Sequence, residues 1–331
     1  MTNQLKEINR IGIFTSGGDA PGMNAAIRAA VRTALYHGKK VTGIYHGYQG
    51  MIDNTMFDMV SRSVSSIIQK GGTILKTARC MEFKTPEGRK QAYANLRNAG
   101  VDALVAIGGD GTFTGAHIFS QEYDIPVMCI PGTIDNDLNG TDLTIGYDTA
   151  NNTVIEAIDK IRDTAASHNR LFFVEVMGRD SGCIALNAGI AGGAEAILLP
   201  EKDTAIDELI DMLEHAADRN KSSMIVVVAE GDKNGGANNV AKRVNEKFDY
   251  YDTKVSILGH LQRGGSPSSA DRVLATRMGY AAVNELLKGN TRATIGIRGS
   301  EIVTTSLEEA LSKKELKLNE DLVEIAKVMA L

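Results

Sequence analysis

The sequence predicts an α/β protein of two three-layer α/β/α domains with mainly parallel sheets. Short β-branched runs alternate many times with helix-period patterns, as in parallel sheets whose strands are connected by helices. The length of 331 residues is sufficient for two domains of about 150 residues each. Glycine-rich polar loops follow many of the strand patterns, at the sheet edge where such folds bind ligands.

Nine segments predict strands because aliphatic and β-branched residues cluster there between turn signals. They are residues 10–16, 40–46, 102–109, 125–132, 170–178, 194–201, 223–231, 254–261 and 293–299. Helix-period patterns occupy residues 22–37, 86–99, 148–167, 203–219 and 268–288. Gly38, Gly100 and Gly289 predict the ends of three of these helices, and Thr85 followed by Pro86 predicts the start of one.

The organisation into domains is expected to be interwoven or joined by tight crossovers. The sequence has no low-complexity linker and no short-period repeat that would separate two domains cleanly. A boundary near residue 140 gives an N-terminal domain of residues 1–140, to which C-terminal helices can return. The second domain is then residues 141–331.

Composition and charge exclude several classes of protein. The residues are 43% apolar and 23% charged, which is ordinary for a globular protein. The net charge of −5 argues against nucleic acid or an anionic membrane as the main partner. Cys80, Cys129 and Cys183 are odd in number and widely spaced, so they predict neither a disulfide framework nor a zinc site and favour a reducing cytoplasm. The N-terminus has no apolar signal core and no run approaches 18 apolar residues, so we expect neither secretion nor a membrane span.

Six loops that follow predicted strands carry the residues that could take part in binding or catalysis. They are "TSGGDAPGMN" (15–24), "GGDGT" (108–112), "PGTIDND" (131–137), "MGRDSG" (177–182), "AEGD" (229–232) and "GHLQRGGSP" (259–267). Any one of them is equally well explained as a tight turn. Together they predict that six loops converge on one sheet edge and form a ligand site.

The glycines of the first two loops are suited to binding phosphate. Their amide N–H groups can turn toward phosphate oxygens, and the helix that follows each loop adds its positive end. Neither loop is a Walker motif or a GxGxxG motif. Asp110 would repel a phosphate directly, so its economical role is to hold Mg²⁺ that bridges the phosphate oxygens. The alternative is that Asp110 caps the next helix.

The loop at residues 131–137 offers a base for phosphoryl transfer. A carboxylate that can accept a proton from a hydroxyl, opposite a phosphate-binding loop, is the minimum for transfer to an alcohol. Asp135 and Asp137 are the candidates, and Thr133 could position the hydroxyl or the phosphoryl group. The alternative is an Asx-rich turn. Single basic residues at loop ends suggest a bound anion, although any one of them is as well explained by a surface ion pair: Arg79, Arg170, Arg179, Lys254 and Arg263.

These motifs, in this order, resemble those of bacterial ATP-dependent 6-phosphofructokinases across roughly residues 10 to 300. "PGTIDND", "VEVMGR" and "ILGHLQRGGSP" are the most specific of them, and "GYQG", "GGT", "TIGYDTA" and "AGGAE" also match. The resemblance implies transfer of the γ-phosphoryl group of ATP to the 1-hydroxyl of fructose 6-phosphate, giving fructose 1,6-bisphosphate and ADP. It also implies the committed step of glycolysis, allosteric control, a homotetramer, and an active site in the cleft between two α/β domains.

The resemblance assigns roles to residues by position. ATP would be bound by Gly18, Arg79, Cys80, Gly109, Asp110, Gly111 and Thr112, with Asp110 also on Mg²⁺. The base would be Asp135, with Thr133, Ile134 and Arg179 completing the catalytic set. The sugar phosphate would be bound by Met177, Gly178, Arg179, Glu230, His260, Leu261, Gln262 and Arg263, and by Arg170 and Lys254 of a neighbouring subunit. An allosteric ligand, ADP or phosphoenolpyruvate, would be bound by Arg28, Arg32, Arg162, Gly193, Glu195, Arg219 and Lys221, with Glu195 acting through a metal.

Three departures from the family pattern have consequences. Lys254 stands where Arg is usual, so a point charge replaces a forked contact. Cys80 replaces an aromatic residue near adenine. Ser61 stands where an Arg is common in the effector site, so we expect effector sensitivity that is weakened but not abolished. Within that site Arg28 and Arg32 lie four apart on a predicted helix and repel each other.

Three alternatives compete with the ATP-dependent kinase. A pyrophosphate-dependent relative usually has GGDD and PKTIDND, whereas Gly111 and Gly132 here favour the larger ATP. An NAD kinase would not explain "PGTIDND" or "GHLQRGGSP". A non-catalytic nucleotide sensor is disfavoured because the candidate base and metal ligand are both present.

Overall fold

A computed structural model describes residues 7–165, 169–219, 221, 223–312 and 318–330. Counted over these residues, the chain forms two compact units. The first comprises Met1–Ile134, Leu138–Asp148 and Arg263–Lys313, and the second Asp135–Asp137, Thr149–Gln262 and Lys314–Leu331. The assignment of ATP to a domain of residues 1–140 and of sugar phosphate to residues 141–331 stays a prediction.

The described residues contain eleven strands. They are β1 (Arg10–Thr15), β2 (Lys40–Ile44), β3 (Met56–Met59), β4 (Ala103–Gly108), β5 (Val127–Pro131), β6 (Arg170–Val176), β7 (Ala196–Leu198), β8 (Ser223–Ala229), β9 (Asp252–Ile257), β10 (Ala293–Arg298) and β11 (Glu301–Ser306). Eight of the nine predicted strand segments contain one of them, and the ninth, residues 254–261, overlaps β9, which begins two residues earlier at Asp252. The other two, β3 and β11, were missed.

The described residues also contain eleven α-helices. They are α1 (Met23–Tyr36), α2 (Tyr48–Ile52), α3 (Pro86–Asn98), α4 (Asp110–Tyr123), α5 (Tyr147–Ala165), α6 (Cys183–Ala191), α7 (Ile206–Ala217), α8 (Gly236–Asn245), α9 (Ser269–Leu287), α10 (Leu307–Ala310) and α11 (Glu320–Met329). The five predicted helices correspond to α1, α3, α5, α7 and α9, and residues 166 and 167 of the prediction lie outside the described residues. The predicted start of α3 is confirmed, because Thr85 Oγ1 accepts from Gly88 N at 3.1 Å.

The two units have separate sheets. In the first unit the strand order is β11-β10-β5-β4-β1-β2-β3, and in the second it is β7-β8-β6-β9. All pairs in the second sheet are parallel, and in the first only the outermost strands β3 and β11 run antiparallel. Helices lie on both sides of the mostly parallel sheet, which confirms the predicted α/β class.

The prediction that six loops meet at one sheet edge is wrong. The loops after β1, β4 and β5 belong to the first sheet, and those after β6, β8 and β9 belong to the second. The alternation of strand and helix patterns continues unchanged from β5 to β6. The sequence pattern therefore does not reveal that the first sheet ends at β5 and that β6 belongs to a second sheet. Each sheet nevertheless collects three loops at the carboxyl edge of adjacent parallel strands.

Each unit has its own apolar core. In the first, a cluster around Phe14, Phe113 and Phe119 fills the space between the sheet and its helices. In the second, Leu171, Phe173 and the strand β8 pack against α7 and α8. Both cores fix the strands whose ends carry the loops. Among the helices of the described residues, none is both long and apolar enough to cross a bilayer.

Candidate functional site

Three loops of the first unit start side by side at one sheet edge. Strand β4 lies between β1 and β5, and all three run parallel. Ser16 N donates to Ile107 O at 3.0 Å, and Gly132 N donates to Gly108 O at 3.0 Å. The hydrogen bonds of the sheet therefore continue into the loops and fix their starting positions.

Two glycines of the "GGDGT" loop differ in the space available for a side chain. A Cβ on Gly108 would lie 2.3 Å from Thr112 Oγ1 and 2.4 Å from Ser16 O, so packing within the protein excludes a side chain there. A Cβ on Gly111 would meet no atom of the described residues within 4 Å. The protein itself does not require glycine at position 111, and the space beside it is open for a ligand.

Asp110 is an exposed residue at the beginning of α4. The N-cap of this helix is Gly109, and the described residues include no side-chain cap hydrogen bond there. The alternative that Asp110 is the cap is therefore not what the structure shows. Among the described residues no three His, Cys, Asp or Glu side chains form a metal-binding group. A single carboxylate suits Mg²⁺ that takes its other ligands from substrate phosphates and water.

Gly18 and Arg263 are in close contact within the first unit. A Cβ on Gly18 would lie 2.6 Å from Arg263 Nη1, and this nitrogen donates to Asp19 O at 3.2 Å. The glycine leaves room for the guanidinium. Arg263, which sequence reasoning assigned to the sugar phosphate, thus lies against the predicted nucleotide loop.

Arg79 and Cys80 lie in an irregular segment before α3. Arg79 is exposed, and Cys80 is partly buried against the aromatic cluster of the first core. Tyr48 and Phe83 stack in that cluster with ring centroids 4.1 Å apart. Burial raises the pKa of the Cys80 thiol, so the thiol stays protonated at neutral pH. Cys80 therefore offers an apolar surface rather than a reactive thiolate.

The loop after β5 is tight and buries the candidate base. Asn136 has φ +52°, in the left-handed region that Asn tolerates. Thr144 Oγ1 donates to Thr133 O at 2.6 Å and holds the loop near its start. Asp135 is only 3% exposed. The loop therefore carries a carboxylate that is shielded from water.

In the second unit, the loop predicted to bind the sugar phosphate is held by side chains that accept hydrogen bonds from its backbone. Glu230 Oε1 accepts from Gly178 N at 3.2 Å and from Arg179 N at 2.8 Å. Gln262 Oε1 accepts from Met177 N at 2.8 Å. These bonds hold Arg179 with φ +54°, a conformation unusual for a long side chain. The arginine is exposed, so its guanidinium is available to an anion.

One residue that supports this loop was missed. Glu201 Oε1 accepts from Gly182 N at 2.8 Å and so fixes the end of the "MGRDSG" loop. The sequence signal was a glutamate directly after the apolar run of β7, but it fell inside the predicted strand segment. His260 and Leu261 are exposed in a short 3-10 turn after β9.

Arg170 and Lys254 lie at the other end of the second sheet. Arg170 begins β6 and Met177 follows its last residue, so the two are seven residues and about 23 Å apart at 3.3 Å per residue. Both basic side chains contact Asp252, through Arg170 Nε at 3.4 Å and Lys254 Nζ at 2.7 Å. Lys254 lies opposite Phe172 in the register of β6 and β9. Neither residue can reach the loop at Met177 within the same chain.

The effector-type residues of the second unit surround one cavity of about 640 Å³. Its lining includes Arg162, Gly193, Glu195, Arg219 and Lys221. Arg162 donates to Gly192 O and Gly193 O at 2.6 and 2.7 Å. Buried Glu195 accepts from Ile225 N at 2.6 Å, and Lys221 Nζ is 3.4 Å from its other oxygen. Both oxygens of the Glu195 carboxylate therefore face protein donors, and its role through a metal stays a prediction.

The remaining effector-type residues belong to the first unit. Arg28 and Arg32 lie one turn apart on α1, and burial together with the charge of Arg32 lowers the pKa of Arg28. The direction agrees with the repulsion inferred from their spacing. Ser61 is exposed at the start of a 3-10 turn.

Comparison with known proteins gives a consistent result. The family model described as Phosphofructokinase matches residues 10–286. The chain is 55% identical over 321 residues to "ATP-dependent 6-phosphofructokinase 2" of Bacteroides thetaiotaomicron, covering 97% of this chain and 98% of that protein. It is 54% identical to "ATP-dependent 6-phosphofructokinase" of Caldanaerobacter subterraneus, covering 97% and 99%.

A solved structure supports the same relationship. The phosphofructokinase of Saccharomyces cerevisiae superposes with a TM-score of 0.87 at 38% identity and covers 97% of this chain. The chain spans 46% of the length of the yeast chain. The bacterial relatives are covered over nearly their whole length, so they are the closer guide to function.

Proposed function

This chain belongs to the phosphofructokinase family, and from that premise we infer that it phosphorylates fructose 6-phosphate at the 1-hydroxyl with ATP. The products are fructose 1,6-bisphosphate and ADP, and the activity is that of a glycolytic kinase. Support comes from the family match over residues 10–286 and from relatives at 54 and 55% identity named as ATP-dependent 6-phosphofructokinases.

The observation that carries the proposal is the pairing of two loops. Gly132 N donates to Gly108 O at 3.0 Å, and a Cβ on Gly109 would be 3.6 Å from Thr133 Cβ. The glycine loop for the phosphates therefore runs beside the loop that begins at Thr133 and leads directly to Asp135. A phosphoryl donor and the base for its acceptor are needed in this proximity for in-line transfer.

In the proposed mechanism Asp135 accepts the proton of the 1-hydroxyl as the oxygen attacks phosphorus. Its burial excludes water, and the bond from Thr144 to Thr133 O orients the loop. Gly109, Gly111 and their amides line the path of the phosphates. Bound Mg²⁺ would neutralise charge on the transferring phosphoryl group. Asp110 would hold it together with the phosphate oxygens.

We assign the sugar phosphate to the loop at residues 177–179 and to His260, Leu261, Gln262 and Arg263. Glu230 and Gln262 hold the backbone of the first segment from behind, so the exposed guanidinium of Arg179 is presented in one orientation. Arg is suited to a forked contact with phosphate. Within the first unit Arg263 also contacts the nucleotide loop, where it donates to Asp19 O.

ATP is favoured over pyrophosphate by a particular residue. Gly111 has open space where a Cβ would be, so a nucleotide can pass beside the backbone. The relatives at 54 and 55% identity carry the ATP-dependent name. A non-catalytic sensor would not need a buried carboxylate at the end of the loop that runs beside the phosphate loop.

We further propose a homotetramer in which Arg170 and Lys254 act on a neighbouring subunit. Along the strand direction Arg170 lies about 23 Å and Lys254, opposite Phe172, about 17 Å from the level of Met177 at 3.3 Å per residue, so we give neither a role at its own chain's sugar-phosphate site. Mixed tetramers of Arg170→Ala and Asp135→Asn protein should regain partial activity, because one site per pair then has both groups intact. Well-formed mixed tetramers without recovery would contradict the shared site.

Allosteric control is proposed for a ligand bound between subunits by the cavity around Arg162 and Lys221 and by Arg28 and Arg32. The supporting observation is that three basic residues, Arg162, Arg219 and Lys221, line one cavity in the second unit. ADP or phosphoenolpyruvate fits its positive charge. The cytoplasmic location expected from the composition stays a prediction.

The experiment that tests the proposed function measures fructose 1,6-bisphosphate directly, with ATP and with pyrophosphate as donor. Product with ATP and Mg²⁺, and at most trace product with pyrophosphate, is expected. Product from pyrophosphate alone would establish the alternative donor. Binding of ATP without any product would favour the sensor.

A further inference from the structure

The segment "KGGTILK", residues 70–76, has no role in the site described above, yet it is held from several directions. It precedes Arg79 and Cys80 by only a few residues, and it lies in the first unit. Leu75 is fully buried and its carbonyl accepts from His46 N at 2.9 Å. The segment is irregular, so these contacts rather than a helix or strand define its shape.

Asn24 makes the largest contribution to holding this segment. The residue is 1% exposed at the beginning of α1. Its Nδ2 donates to Lys70 O at 3.0 Å and to Gly71 O at 3.2 Å, and its Oδ1 accepts from Ile74 N at 2.8 Å. One buried side chain thus satisfies three backbone groups that would otherwise lack partners in an irregular segment.

Thr15 holds the end of the same segment. Its Oγ1 donates to Lys76 O at 3.0 Å and is 2.9 Å from Thr73 Oγ1. Thr15 and Asn24 are the first and last residues of "TSGGDAPGMN", so the loop with the predicted phosphate glycines is flanked by the two anchors. Both side chains that hold residues 70–76 therefore belong to this one loop.

The opposite side of the segment leaves no room for adjustment. A Cβ on Gly71 would lie 2.2 Å from Gly265 O, and Ser266 Oγ donates to Gln69 O at 2.8 Å. The backbone at residue 71 is therefore confined between Asn24 and Gly265. Loss of the Asn24 bonds would release it on one side only.

We propose that Asn24 is a positioning residue for nucleotide binding. It holds residues 70–76 so that Arg79 and Cys80, which follow this segment, are presented to the nucleotide in one arrangement. The inference rests on the proposed binding of ATP by Arg79 and Cys80. It gives "GGT" and the Asn of "GGDAPGMN" a role in ATP binding that does not depend on direct contact with the ligand.

The test is a direct titration of MgATP into Asn24→Ala, combined with hydrogen exchange of residues 70–80. The amide of Ile74 loses its acceptor, so exchange in this segment should accelerate, and the dissociation constant for MgATP should rise by at least about threefold. The matched control is Asn95→Ala. Asn95 Nδ2 also donates to two successive carbonyls, Met51 O and Ile52 O, at 2.9 and 2.8 Å, and its loss should leave the MgATP affinity unchanged.

The outcomes separate this inference from the proposed function. Wild-type affinity for MgATP in Asn24→Ala, or an equal loss in Asn95→Ala, would overturn the positioning role while kinase activity of the wild type still stands. A wild-type protein that binds MgATP but forms no fructose 1,6-bisphosphate would contradict the proposed function alone. If Asn24→Ala does not fold, the same criteria apply to Asn24→Ser, whose hydroxyl provides one hydrogen-bonding group in place of the amide.

Discussion

The two sheets present their loops in different ways. In the first unit the glycine loop after β4 is open at Gly111, and Asp110 is exposed beside it. In the second unit the backbone of the loop after β6 is held by side chains from other segments. Glu230, Gln262 and Glu201 accept hydrogen bonds from it. Free amides suit an extended polyphosphate, whereas a braced loop with a fixed arginine suits a single phosphate. We therefore expect the two sheet edges to bind different ligands, because the side chains that contact their loops differ.

The largest expected effect concerns the loop that follows β5. Asp135→Asn should lower kcat by a factor on the order of 10² or more with little change in either KM, because the amide cannot accept the proton. Steady-state kinetics with both substrates varied measures this. Asp124→Asn, at a carboxylate that is 96% exposed, is the control and should keep normal kcat. A normal kcat in Asp135→Asn would remove this residue from the chemistry.

The braced loop of the second unit gives the next effect. Glu230→Ala removes the acceptor of two amides, so KM for fructose 6-phosphate should rise by about tenfold or more, since each bond to a carboxylate contributes ~1.5–3 kcal/mol. KM for ATP should stay within twofold. Glu230→Gln keeps one acceptor oxygen and should show a smaller rise. Equal KM values for fructose 6-phosphate in the wild type, Glu230→Ala and Glu230→Gln would mean that the loop does not need the hydrogen bonds to Glu230.

The two glycines of the first unit should separate stability from binding. Gly108→Ala should lower the free energy of unfolding by ~1–3 kcal/mol, because its Cβ meets two oxygens in a packed region. Gly111→Asp has space for its side chain, so its melting temperature should stay near that of the wild type. Its KM for ATP should nevertheless rise about fivefold or more through repulsion of phosphate. Normal ATP kinetics in Gly111→Asp would move the donor site elsewhere.

The smallest effect on catalysis is expected at the effector cavity. Arg162→Ala removes one cation from the cavity, so the response to ADP and phosphoenolpyruvate should disappear while kcat stays within twofold. Activity measured at subsaturating fructose 6-phosphate, with and without effector, reports this. Ser61→Arg should strengthen the response. An unaltered response in both variants would show that control resides at another site.

Sequence patterns predicted the parts of this fold that depend on burial. Strands such as β4 and β8 are continuous apolar runs, and their identification needs no tertiary information. The strands β3 and β11 were missed because they lie at sheet edges, are short or partly exposed, and have weak apolar patterns. The break between the two sheets was also missed, because nothing local distinguishes β5 from β6.

The candidate site was predictable where motifs carry chemistry and not where residues act through the backbone. Asp110, Asp135 and Arg179 stand in distinctive loops. The roles of Asn24 and Glu201 depend on amides and carbonyls that are remote in sequence, at residues 70–74 and 182. The spacing of residues in the sequence does not predict such hydrogen-bond partners before the fold is known.

The most direct test of the central contrast is a crossed binding titration. MgATP and fructose 6-phosphate are titrated separately into the wild type, Gly111→Asp and Glu230→Ala by calorimetry. We expect Gly111→Asp to weaken only MgATP and Glu230→Ala to weaken only fructose 6-phosphate, each by about fivefold or more. Loss of fructose 6-phosphate binding in Gly111→Asp, with MgATP binding intact, would contradict the assignment of the two ligands to the two loops.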